Sequence, residues 1–123
     1  MDEAKKDRLL GEAYFLRALH YMHLVQLFGE TVPYWDHPVS DASEYYPGNA
    51  EKGQIYALII ADFAKAAELL PLRSTLYADA ANKGRATKGT AQAYLAKAYL
   101  YRPILERGQA AEFGKAEAEL KKV

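Results

Sequence analysis

The sequence predicts an all-α fold of about four main helices, paired as tetratricopeptide-like hairpins, with a long aromatic loop after the first. Three observations carry this expectation. Apolar residues recur at three- and four-residue steps along most of the chain. No segment sustains the period-two alternation of a strand. The breaks between the periodic runs fall at Gly29, Pro71 and Gly108, residues suited to stopping helices. With 123 residues, 50% hydrophobic and 26% charged, the chain has material for a single domain, 1–123, around one core.

The first helix is expected from about Asp2 to Phe28. Its second half is apolar on nearly every side, from Tyr14, Phe15 and Leu16 to Leu27 and Phe28, with Arg17, His20, His23 and Gln26 as interruptions. Such a helix is expected to be buried by several neighbours or to meet a partner. Residues 30 to about 50 follow as a loop, marked by Pro33, Pro38, Pro47, Gly48 and Asn49. A loop of that length in a compact domain is often functional.

The second helix is expected from Ala50 or Glu51 to Leu70, with Ile55, Leu58, Ile59, Phe63, Ala66 and Leu70 on its apolar face and Pro71 at its end. Residues 71 to 86 form a second connection. The third helix is expected from Thr87, a plausible N-cap, to about Leu105, burying Ala91, Tyr94, Leu95, Ala98 and Tyr101. Pro103 should distort or shorten its end. A fourth helix is expected from about Ala110 to Val123, with Phe113, Ala116 and Leu120 on one face. Rings at Tyr94 and Tyr101 opposite small Ala116 suit tetratricopeptide-type stacking.

Composition excludes several functions. Lys plus Arg and Asp plus Glu are both 16, so the net charge is zero, and no basic cluster offers a nucleic-acid face. With no cysteine, disulfides, thiolate zinc sites and a cysteine nucleophile are ruled out. No run approaches the roughly 20 apolar residues of a membrane span, and the charged start Met1-Asp2-Glu3 is no signal peptide.

No motif carries chemistry. Gly84-Arg85-Ala86-Thr87-Lys88-Gly89-Thr90 superficially resembles a phosphate loop, but Gly89 is followed by Thr90 with no Lys, and no strand precedes it. His20 and His23 could share a metal, but a site needs three or four ligands. The acids Asp62, Glu68, Glu112, Glu117 and Glu119 fall at expected solvent-side positions, and Asp36, Asp41 and Glu44 lie in the loop without a defined geometry for glycoside cleavage. Ser40, Ser43 and Ser74 sit in no nucleophile elbow. No catalytic residue, metal site or cofactor is therefore expected, and the chain reads as a binding protein rather than an enzyme.

The ten Tyr residues are the unusual count. They suit either a Tyr-rich helical core or a surface that stacks on a ligand. In the loop, Tyr34, Trp35, Asp36, Tyr45 and Tyr46 are the candidate ligand-binding residues. Rings beside polar groups such as Asp36 and His37 suit a sugar, whose C–H face packs on the ring while its hydroxyls bond the polar atoms. The competing expectation is that Trp35 folds back over the first helix.

Three blocks of residues follow one another in order along the chain. The first is Glu12-Ala13-Tyr14-Phe15-Leu16-Arg17-Ala18, continuing through Tyr21 and Leu24 to Leu27-Phe28-Gly29 and Val32-Pro33. The second runs through Ile55-Tyr56, Ile59-Ile60, Asp62-Phe63 and Ala66-Ala67 to Leu69-Leu70-Pro71. The third is Gly84-Arg85-Ala86-Thr87-Lys88-Gly89 with Ala91, Ala93, Leu95-Ala96-Lys97 and Tyr99-Leu100-Tyr101. Together and in this order, the three blocks resemble the SusD/RagB family of nutrient-binding outer-membrane lipoproteins of the Bacteroidetes.

The resemblance implies a tetratricopeptide-like scaffold that helps capture a polysaccharide or oligosaccharide at the cell surface and pass it to a SusC-like TonB-dependent transporter. It implies that this part is mainly scaffold and transporter-facing surface, with ligand residues coming from loops and from segments outside it. The chain shows no lipoprotein signal and is far shorter than a family member, so it is expected to be a piece of a longer lipoprotein. Arg17 and Arg85 match the signature and are expected to be structural, Arg17 within the bundle and Arg85 at the turn before the third helix. The alternative function is a general tetratricopeptide-type protein-interaction module.

Overall fold

The structure, a computed structural model, describes residues 2–106 and 112–123, and at 103–106 the backbone alone. The helices are α1 (Glu3–Phe28), α2 (Gln54–Leu69), a single turn α3 (Arg73–Leu76), α4 (Lys88–Glu106) and α5 (Glu112–Leu120). Short 3-10 turns lie at Ala42–Glu44 and Ala80–Asn82, and no strand occurs among the described residues. α1 packs on α2, α2 on α4, and α4 on α5. This is the expected all-α, tetratricopeptide-like arrangement of helix pairs.

Local chemistry sets the boundaries. Gly29 ends α1 at φ 85°, and its N–H donates to the Val25 carbonyl. α2 begins later than the periodicity suggests, because Gly53 sits at φ 80°, outside the helical region. Leu70 turns extended before Pro71, the conformation favoured ahead of a proline. The Thr87 hydroxyl accepts the Thr90 N–H, capping α4 as expected. The Lys88 N–H donates to the Pro71 carbonyl at 2.9 Å, drawing the start of α4 against the end of α2. α4 continues through Pro103 to Glu106, so the proline does not shorten it. Gly108 and Ala110 lie outside the described residues.

Gly11 lies against Leu69 and Leu70, Phe15 against Phe63, and Arg17 against Asp62, so α1 and α2 run antiparallel. A Cβ at Gly11 would sit 2.9 Å from the Leu70 Cγ, which makes this the closest approach the glycine permits. The core is centred on α2, whose Ile55, Tyr56, Ile59, Phe63 and Ala66 are fully buried. Phe15, Phe63 and Tyr94 form one ring cluster, with centroids 5.4–5.6 Å apart, where α1, α2 and α4 meet. Each fully buried large apolar side chain contributes about 1.5–3 kcal/mol.

Four expectations are corrected. The helix covered by neighbours on both sides is α2; of the two expectations for α1, burial by several neighbours is the one overturned, since α1 buries Phe15, Ala18, Met22 and Val25 but leaves Leu16, Leu27 and Phe28 exposed. Tyr94 faces Phe15 and Phe63 rather than α5, and α4 instead offers α5 the small Ala93 and Ala96 across from Ala116. α5 buries Glu112 and Ala116, while Phe113 and Leu120 are exposed. Asp62 and Glu112 are buried rather than solvent-facing, because Arg17 and Lys115 meet their charges.

Candidate functional site

The loop between α1 and α2 is tied down from α1. Arg17 and Tyr21 are one turn apart and so share a helix face. The Tyr21 hydroxyl accepts the Trp35 backbone N–H at 2.8 Å, and the Arg17 Nη1 donates to the Asp36 carbonyl at 3.1 Å. The rest of the guanidinium forms a fork with Asp62, Nε to Oδ2 at 2.6 Å and Nη2 to Oδ1 at 2.8 Å. That pairing raises the Arg17 pKa above its ordinary value, chiefly through the Asp62 hydrogen bonds. An ion pair with a buried carboxylate and a half-buried guanidinium thus serves as the post to which the loop is fastened.

Each candidate residue has a distinct place. Tyr34 is half-buried, edge-on to Tyr21 at 6.3 Å, and its hydroxyl accepts from the Gln54 amide at 3.1 Å. Trp35 is half-buried, and its indole N–H donates across the loop to the Glu44 carbonyl at 3.1 Å. Asp36 is exposed, with Oδ1 2.6 Å from the His37 Nδ1. Tyr45 and Tyr46 follow Glu44 and are 61% and 92% exposed, so these rings are open to solvent. The loop therefore brings Trp35, Asp36 and the Glu44–Tyr45 backbone together, while Tyr34 is turned toward the start of α2. Arg17 is expected within the bundle, but its bond to the Asp36 carbonyl, the Tyr21 anchor and the link from Trp35 to Glu44 are not readable from the sequence; the four-residue spacing of Arg17 and Tyr21 is the available signal.

The clefts of the helical body lie elsewhere. One of about 590 Å³ lies between the start of α1 and residues 75–82, and one of about 470 Å³ between α1 and α4 beside the Arg85–Glu12 ion pair. Arg85 thus fastens the turn before α4 to α1. Neither cleft is lined by the aromatic loop, which presents an open surface. His20 and His23 are exposed, and no group of three or more His, Asp or Glu side chains among the described residues is placed to hold a metal ion. Gly84, at φ 91°, lies in the turn that leads into α4. No helix is long and apolar enough to cross a membrane among the described residues.

A SusD-like family model, described as starch-binding and associating with the outer membrane, matches residues 1–100. The chain belongs to the SusD-like family. A SusD-like protein, P2, of Formosa agariphila is 46% identical over 71 residues, 57% of this chain and 14% of its own length. Among solved structures, a SusD-like protein of Bacteroides fragilis superposes with a TM-score of 0.78 at 31% identity, covering 99% of this chain and 22% of its own. A laminarin-binding SusD-like protein does so with a TM-score of 0.75 at 30% identity, covering 98% and 24%. A second Bacteroides fragilis protein, described as SusD-like and carbohydrate-binding, shares the fold at a TM-score of 0.79 and 24% identity. This SusD-like chain thus spans less than a quarter of the length of these relatives, and the family reading taken from the three sequence blocks holds.

Proposed function

We propose that this chain is the helical scaffold of a cell-surface glycan-capture protein, and that its loop 30–53 contributes to binding a polysaccharide or oligosaccharide without chemistry of its own. The observation that supports this is the loop. Trp35, Tyr45 and Tyr46 keep ring surface available beside the polar atoms of Asp36, His37 and Glu44, and α1 holds the arrangement in place. Open rings suit a sugar chain lying across a surface, each C–H face against a ring and hydroxyls toward polar atoms. Three of the loop carboxylates are occupied within the loop: Asp36 and Glu44 face His37, and Asp41 accepts the Ser43 N–H. In the proposed longer protein, a lipid anchor holds the scaffold at the outer membrane, and its helical faces dock a SusC-like TonB-dependent transporter.

The similarity to a laminarin-binding protein makes laminarin the first glycan to test. In native gels cast with laminarin and a panel of other polysaccharides, one polysaccharide should retard the protein, Trp35→Ala should abolish the retardation and Tyr46→Ala should weaken it. Unchanged mobility with every glycan would remove the loop as a ligand site and leave the scaffold role standing. A second reading, a protein-interaction module, is favoured by the exposed Leu16, Leu27 and Phe28 on α1. It predicts that replacing these three weakens partner binding while Trp35→Ala leaves it intact.

A further inference from the structure

We infer that His37 is a positioning residue for the aromatic loop: as an imidazolium it bridges the Asp36 and Glu44 carboxylates and thereby holds Trp35 in place, making the loop surface pH-dependent. The significance of this bridge for ligand capture rests on the glycan-binding reading; the bridge itself does not.

The geometry is a chain of contacts from the core to the single Trp. Buried Asp62 grips Arg17, and Arg17 holds the Asp36 carbonyl. His37 stands between two carboxylates, Nδ1 at 2.6 Å from Asp36 Oδ1 and Nε2 at 3.7 Å from Glu44 Oε2. Glu44 is held twice more, its carboxylate accepting the Ser40 N–H at 3.1 Å and its carbonyl accepting the Trp35 indole N–H at 3.1 Å. His37 therefore joins residues 35–37 to residues 40–44, the same two stretches that the indole bond joins. A neutral imidazole has one N–H and can donate to only one of the two carboxylates; the imidazolium donates toward both.

The charged groups facing His37 are Asp36 and Glu44 from the loop. Arg17 of α1 approaches through the Asp36 carbonyl, with its charge met by Asp62 of α2. The Asp36 hydrogen bond, followed by the Glu44 charge, raises the His37 pKa above its ordinary value, and the same hydrogen bond lowers that of Asp36. A raised folded-state pKa means that the bridge is fully present below the ordinary imidazole value and is lost as pH rises through the raised one. Both partners are solvent-exposed, so added salt weakens the bridge.

Trp35 is the reporter, because its fluorescence is read without any ligand. Acrylamide quenching should increase about twofold as pH is raised from about 5 to about 9. His37→Gln should abolish this titration and hold quenching at the alkaline value, with the helical circular dichroism unchanged. Glu44→Gln should move the wild-type midpoint to lower pH, and it carries the test if His37→Gln fails to fold. A flat wild-type profile, a His37→Gln profile that titrates like wild type, or an unmoved Glu44→Gln midpoint would each overturn the inference. Because no glycan is present, such a failure is distinct from failure of retardation in the polysaccharide gels, which tests the binding reading alone.

Discussion

Arg17 and Asp62, 45 residues apart in sequence, form a two-bond fork between α1 and α2, with the carboxylate almost wholly buried and the guanidinium partly open to solvent. The asymmetry matters. Removing Arg17 strands a charge inside the bundle, whereas removing Asp62 leaves a cation that can turn toward water. Arg17→Ala should therefore cost more than Asp62→Ala, with about 2–4 kcal/mol lost for the arginine once its partial exposure is allowed for. Urea denaturation of the two variants checks the order. A double replacement with apolar residues of similar volume should recover much of the loss while freeing the Asp36 carbonyl.

The ring cluster is the second point of leverage. Phe63 is fully buried and touches Phe15 and Tyr94 from the two flanking helices. Phe63→Ala should lower stability by about 3–5 kcal/mol, and Phe63→Leu by clearly less, as measured by thermal or denaturant unfolding.

Gly11 tests the helix spacing. A side chain there meets Leu69 and Leu70 at once. Gly11→Leu should destabilise by about 1–3 kcal/mol despite the better helix propensity of leucine, because α1 and α2 must separate to admit it. Gly89→Ala, with only Val123 nearby at 3.9 Å, should be tolerated and serves as the control.

Tyr46 separates binding from folding. At 92% exposure it has little native packing to lose, so Tyr46→Ala should change unfolding stability by less than about 0.5 kcal/mol. Under the proposed function the same variant should weaken glycan retention about tenfold or more, the loss of about 1.4 kcal/mol expected when a stacking ring is removed. Affinity electrophoresis over a series of glycan concentrations reads the ratio.

Much of this architecture was legible before any coordinates. The three- and four-residue steps of Ile55, Ile59, Phe63 and Ala66 identify the buried face of α2, and Gly29, Pro71 and Thr87 mark helix ends through local backbone chemistry. The Arg17 role within the bundle is implied by the family resemblance, whereas its partner Asp62 comes from the packed fold alone. Periodicity places the start of α2 too early, because it does not reveal that Gly53 adopts a positive φ. The one-turn α3 leaves no mark in the sequence pattern, since four residues hold too little periodicity to be recognised.

The candidate site was legible as a set of residue types but not as an arrangement. Residue types alone limit which side chains can stack or bond: the rings of the loop, its acids and His37, and the helices that frame them. Tertiary structure decided which of them face one another. Whether Tyr34 points to Gln54 while Tyr46 points to water, whether Asp62 is buried, and whether Trp35 reaches Glu44 depend on how α1 and α2 close on the loop. Helix formation is set by bonds within a few residues of each position and so is written locally. The environment of a side chain is set by neighbours far along the chain, and only the packed fold supplies them.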